Sequence, residues 1–140
     1  MKNYLLLGIT ICSLFTFGQD YRAVWQQCYG DEGDNNFMAI CPTSDGYLFS
    51  YNNYSGENTT NFHGAMDIWI QRFDTLHNRI WEKCYGGSNS EVPIKLIRIN
   101  DSEFYLLGCS LSSDGDVQSK NNEFSEVWVT KISNEGNVIW

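Results

Sequence analysis

Asp114 and Asp116, separated only by Gly115, put two carboxylates where they could converge on a hard cation, and calcium is the ion such alternation serves. An EF-type loop needs further ligands at its fifth and twelfth positions. The fifth is Gln118, so the competing reading is a turn whose Asp side chains bond their own backbone. Asp31–Asp34, reading Asp-Glu-Gly-Asp, is a second calcium candidate in a different loop. For zinc the text offers no CxxC pair and no histidine cluster, and His63 and His77 sit in polar, loop-like stretches that read as plain surface. Catalytic signatures are missing as well: there is no Gly-x-Ser-x-Gly, His-Glu-x-x-His, phosphate loop or dinucleotide fingerprint. A carboxylate pair for glycoside hydrolysis could still be assembled from distant strands, and its mark would be acidic residues gathered at one end of the fold around a shared pocket.

The elements that would carry these groups are framed by an export leader. Lys2, an apolar run from Tyr4 to Phe17, and small residues at Thr16 and Gly18 form a signal peptide over residues 1–18, too short to span a bilayer. Cys12 follows Ile11, which does not fit a lipoprotein site. Removing 18 of the 140 residues leaves 122 that start near Gln19 and contain no further apolar run long enough to cross a membrane; the expectation is a secreted or surface-exposed product. With Lys2 gone, 17 acidic residues face 8 basic ones, a sign that repels phosphate backbones and argues against nucleic acid as a partner. Cys28, Cys41, Cys84 and Cys109 remain; an oxidising compartment permits disulfides among them, but buried free thiols fit equally well.

Positioning of every group above depends on an internal repeat. Trp25, Trp81 and Trp140 are 56 and 59 residues apart, and Trp69 and Trp128 are again 59 apart. The flanking text repeats too: Trp25–Gly30 is answered by Trp81–Gly86, and Asp67–Phe73 by Glu126–Ile132. A period of this length marks solenoids, propellers or arrays. Within one period, four short apolar runs (80–85, 94–99, 104–111 and 127–132) alternate as half-buried strands do, and polar turns separate them. The fold class expected is all-β, with tandem four-stranded antiparallel blades of a β-propeller, incomplete in this chain. The recurring tryptophans then fill the space between blades rather than presenting a carbohydrate platform. The long polar stretches Ser55–Met66 and Ser112–Ser125 differ most between copies, and this is where repeat proteins place binding differences.

Several segments resemble a family of secreted Bacteroidota repeat proteins, many of them type IX secretion cargo. These segments are Trp81–Ser88, Gly108–Asp116, Glu126–Ile132 and Gly136–Trp140, which are similar to the family's Trp-x-Lys-x-Tyr-Gly-Gly-Ser, Gly-x-Ser-x-Ser-x-Asp-Gly-Asp, Asp-x-Trp-Val-x-Lys-Leu and Gly-x-x-x-Trp elements. The resemblance covers nearly all of residues 24–140 and implies a propeller-like extracellular repeat protein with no known reaction. The first copy departs from the pattern, with Ser55–Asn58 where the Asp-Gly-Asp triplet would stand and Asp31 in place of Gly87. The resulting division is a leader at 1–18, a first repeat at 19–80, a second at 81–139, and Trp140 as the start of a third, as in an N-terminal fragment of a longer protein. Function is expected to be non-catalytic: a scaffold binding or adhering to an extracellular protein or glycan, with further blades of its own chain as neighbours. The alternative is the propeller portion of an extracellular carbohydrate-active or other hydrolytic enzyme. Asp74-Thr75-Leu76 resembles a Bacteroidota O-glycosylation acceptor in an interstrand turn. Asn53 and Asn58 head N-glycosylation patterns that a bacterial source would not use.

Overall fold

A computed structural model describes residues 25–29, 36–54, 62–118 and 124–140. The leader 1–18, Cys12, the candidate Asp31–Asp34 and the Asn58 pattern lie outside the described residues. The described chain is all-β, without a helix. Its strands are β1 (Asn36–Thr43), β2 (Gly46–Asn53), β3 (Asp67–Asp74), β4 (Arg79–Tyr85), β5 (Glu91–Arg98), β6 (Glu103–Ser110) and β7 (Glu126–Ser133). They form two antiparallel meanders, β1-β2-β3-β4 and β5-β6-β7.

Each expected apolar run became a strand, shifted by a few residues at its ends. In β7 the alternation is kept: Trp128, Thr130 and Ile132 are buried while Val127 and Val129 are exposed. β3 is buried on both faces over Asp67–Phe73, because the second sheet covers one side and an aromatic cluster the other. The shared core holds Leu48, Ile68, Ile70 and Tyr85 from the first sheet and Leu96, Phe104, Leu106, Trp128 and Ile132 from the second. On the opposite face of the first sheet, Phe49, Tyr51, Trp69 and Phe73 pack together, and Tyr29 lies against Phe49 and Phe73.

The repeat survives in the hydrogen bonding. Trp69 stands opposite Tyr51, and 59 residues later Trp128 stands opposite Gly108, the position equivalent to Tyr51. The turn after β3 closes with Asp74 N–H to Asn78 O and His77 N–H to Asp74 O; the turn after β7 repeats these as Ser133 to Asn137 and Gly136 to Ser133. His77 and Gly136 occupy the same left-handed position, with φ of 64° and 75°. Gly136 adopts it without strain, and His77 is the residue that bears the cost. Residues 138–140 then run along β7, with Lys131 N–H donating to Trp140 O, as Trp81 pairs with Arg72 in β4. The sheet and the sequence repeat are thus offset by one strand: the Trp81 strand closes the first sheet instead of opening the second.

The two sheets are joined chiefly through β5, which lies across β1, β2 and β3. β4 also reaches over the 133–137 turn. Trp81 Nε1–H donates to Asn134 O (2.9 Å), Tyr85 O–H to Gly136 O (2.8 Å) and Lys83 Nζ to Asn137 Oδ1 (2.8 Å).

Candidate functional site

Strand direction gathers polar groups at one end of the molecule, where β2 and β6 finish, β3, β5 and β7 begin, and β4 ends. Asp67, at the first position of β3, is fully buried there. Its Oδ2 accepts from the His63 backbone N–H (2.7 Å) and from Cys84 Sγ–H (3.0 Å), and His63 Nδ1 stands 3.2 Å away. Cys84 reaches Asp67 because β4 pairs with β3 in the register Trp69 to Cys84, which puts both side chains on one face. Asp67 Oδ1 is buried and has no hydrogen-bond partner.

Glu91, the first residue of β5, is the second buried carboxylate at this end. Gly87 N–H donates to its Oε2 (2.9 Å) and Ser110 Oγ–H to its Oε1 (2.6 Å). A Cβ placed on Gly86 would lie 2.5 Å from both Asp67 Oδ1 and Glu91 Oε2, so only glycine lets the chain pass between the two acids. Burial raises the Asp67 carboxyl above its ordinary value, against the lowering effects of Cys84 and His63. Burial, and then the Asp67 carboxylate, pushes the Cys84 thiol far up, so it is protonated at neutral pH.

The Asp114–Asp116 turn clamps the β4–β5 loop. Asp114 Oδ1 accepts from Ser88 N–H (2.7 Å), Asp116 Oδ2 accepts from Gly86 N–H (3.3 Å), and Asp116 N–H donates to Gly86 O (2.9 Å), with Gly115 at φ 64°. The Ser88 amide holds the Asp114 carboxyl below its usual range. These carboxylates therefore bond the backbone of another loop, a use that the spacing alone did not disclose. Asp116 also lines an open pocket of about 390 Å³ with His63, Cys84 and Tyr85. On its other side, Asp116 and Glu126 share a pocket of about 640 Å³ that reaches Trp128 and Trp140.

The three ligand atoms of His63, Asp67 and Cys84 all lie within 4.8 Å of one another, and no other three His, Cys, Asp or Glu groups among the described residues do so. Sequence spacing gave no notice of this, since the residues are 4 and 17 positions apart and belong to no motif. His77 is instead an exposed turn residue, stacked on Trp25 at 3.9 Å. Cys28, Cys41, Cys84 and Cys109 are free thiols. Thr75 is exposed in the β3–β4 turn, whereas Asn53 is buried and could not carry a glycan in this fold.

No protein-family model matches the chain, and no curated protein matches it at a significant level.

Proposed function

We propose that the chain is part of a secreted, β-propeller-type repeat scaffold of the kind its Bacteroidota-like motifs suggest, working by non-catalytic binding or adhesion outside the cytoplasm. The observation that carries this reading is the equivalence of sheet faces. Ile68, Ile70 and Leu48 of the first sheet are covered by the second sheet. At the matching positions of the second sheet, Val127 (78% exposed) and Val129 are open, beside the half-buried Tyr105 and Leu107. One face of each sheet is built to receive the next.

Trp25–Tyr29 supports the same arrangement from the other side. Tyr29 packs on Phe49 and Phe73 and Trp25 sits over His77, as Tyr85 packs into the shared core and Trp81 sits over Gly136. The segment thus holds the place of a fourth strand of a preceding blade. Binding specificity would reside in the loops at the acidic end, and the partner would be an extracellular protein or glycan. The open face makes the test direct. In sedimentation experiments the chain should self-associate with rising concentration, and Leu107→Lys with Val129→Lys should yield a monomer with an unchanged circular dichroism spectrum. A wild-type chain that stays monomeric and fails to bind an apolar dye would remove the support for stacking blades.

A second reading, the propeller portion of a hydrolytic enzyme, is favoured by one feature: Asp116 and Glu126 lining a common pocket at the acidic end. Hydrolysis of a glycan panel that disappears with Glu126→Gln would support it over the scaffold.

A further inference from the structure

We infer that His63 Nδ1, Asp67 Oδ2 and Cys84 Sγ form a binding site for one divalent transition-metal ion, with zinc the ion this donor set selects. The argument begins with charge. Asp67 and Glu91 are both fully buried and converge on Gly86, yet no Lys or Arg among the described residues pairs with either. An ionised carboxylate is costly to bury without a positive partner, and the one basic group touching Asp67 is His63. Asp67 Oδ1, beside Gly86, has no hydrogen bond, and Asp67 Oδ2 is the oxygen that His63 Nδ1 and Cys84 Sγ approach.

Geometry then separates the ions. Asp67 Oδ2 is 3.0 Å from Cys84 Sγ and 3.2 Å from His63 Nδ1, so an ion at zinc's bond lengths, about 2.0 Å to nitrogen and oxygen and about 2.3 Å to sulfur, enters once the oxygen and sulfur move apart by a few tenths of an ångström. Sulfur and imidazole suit zinc, whereas calcium asks for a shell of oxygens. Two further features complete the site. His63 and Cys84 border an open pocket with Asp116, which leaves the fourth position to a water molecule. The loop that carries His63 is tied to the second sheet, by Ala65 N–H to Asn89 O and Glu91 N–H to Met66 O.

Binding balances simply. The Cys84 thiol loses its proton to solvent, His63 presents the Nδ1 lone pair with its proton on Nε2, and the thiolate and the Asp67 carboxylate together neutralise the dication. The ion therefore replaces the Cys84 S–H to Asp67 hydrogen bond and joins the 62–66 loop, β3 and β4 at one point. In the second repeat, 59 residues on, Glu126 stands at the position of Asp67 and Asn122 at that of His63, so this donor set is not repeated there.

The test uses the reduced, metal-free full chain titrated with cobalt(II) and back-titrated with zinc. A sulfur-to-cobalt absorption band should saturate at one equivalent and bleach as zinc displaces cobalt. Cys84→Ser should abolish the band, and His63→Ala should weaken binding by more than about 100-fold, beyond the loss expected for an outer-shell partner. Cys28→Ser and Cys109→Ser should leave the titration unchanged, and calcium should not compete. Absence of the band, or a band indifferent to both His63→Ala and Cys84→Ser, would overturn the site. If those variants fail to fold, X-ray absorption of the zinc-loaded wild type decides: one sulfur with nitrogen and oxygen neighbours supports the assignment, and a shell without sulfur refutes it.

Discussion

Asp67 concentrates the conflict between folding and ionisation in this chain. It is buried beside Glu91, its Oδ2 accepts from the His63 amide and the Cys84 thiol, and burial holds its carboxyl above the ordinary 3.8. The consequence for stability has a definite sign. Below the ordinary value both the folded and unfolded states are protonated, and Asp67 contributes nothing. As pH rises, the unfolded chain ionises first and the folded one lags, so the metal-free protein loses stability until the raised pKa is passed. Asp67→Asn removes that loss while keeping an acceptor oxygen for the His63 and Cys84 donors. In urea denaturation between pH 3 and pH 8, the variant should therefore gain on the wild type as pH rises from about 4 and then level off. Asp45, Asp74, Glu103 and Asp114 are shifted downward and act in the opposite sense, but they are common to both proteins and cancel in the difference. A difference that stays flat across the range would show that Asp67 is not desolvated. The text could not announce this site: His63 reads as a surface residue, Cys84 as a disulfide or a buried thiol and Asp67 as part of a repeat motif, and only the β3–β4 register and the loop before β3 put them together.

At the scale of elements, the β4–β5 connection bears the tightest requirement. Gly86 passes between two carboxylates, and the Asp114–Asp116 turn holds it from the far side. Gly86→Ala would drive a methyl group into Asp67 Oδ1 and Glu91 Oε2, and the overpacking should cost about 1–3 kcal/mol in urea denaturation. Unchanged stability would mean that the loop can move aside, and the clamp would be of little consequence. Strands were legible because alternation reports which side of a sheet a residue faces, as Val127–Ile132 shows in full. Hydrogen-bond partnership was legible only across the short turns that mark hairpins, such as 43–46 and 74–78; which strand opens a sheet was not, since alternation carries no information about it. That is why the Trp81 strand, first in the sequence repeat, is last in its sheet. The Asp114-Gly-Asp116 spacing was equally mute about its partners, because the amides of Gly86 and Ser88 come from a loop nearly 30 residues earlier.

For the whole molecule, the shared core decides how it unfolds. Leu48, Ile68 and Ile70 have no cover without Leu96, Phe104 and Leu106, and the second sheet has its other face open to solvent. A sheet with one buried face cannot persist once that face is lost, so both sheets should open together although the sequence repeats. Hydrogen exchange resolves this: the amides of Ile70 in β3 and Leu106 in β6 should exchange with the same free energy of opening, the global one. Leu96→Ala, at the strand that crosses the first sheet, should lower the protection of both by the same amount, about 2–4 kcal/mol. If Leu106 alone loses protection while Ile70 keeps its own, the first sheet with its aromatic cluster of Phe49, Tyr51, Trp69 and Phe73 is an autonomous unit. In that case the second sheet would be the dispensable partner, and stacking would add to a finished blade instead of completing it.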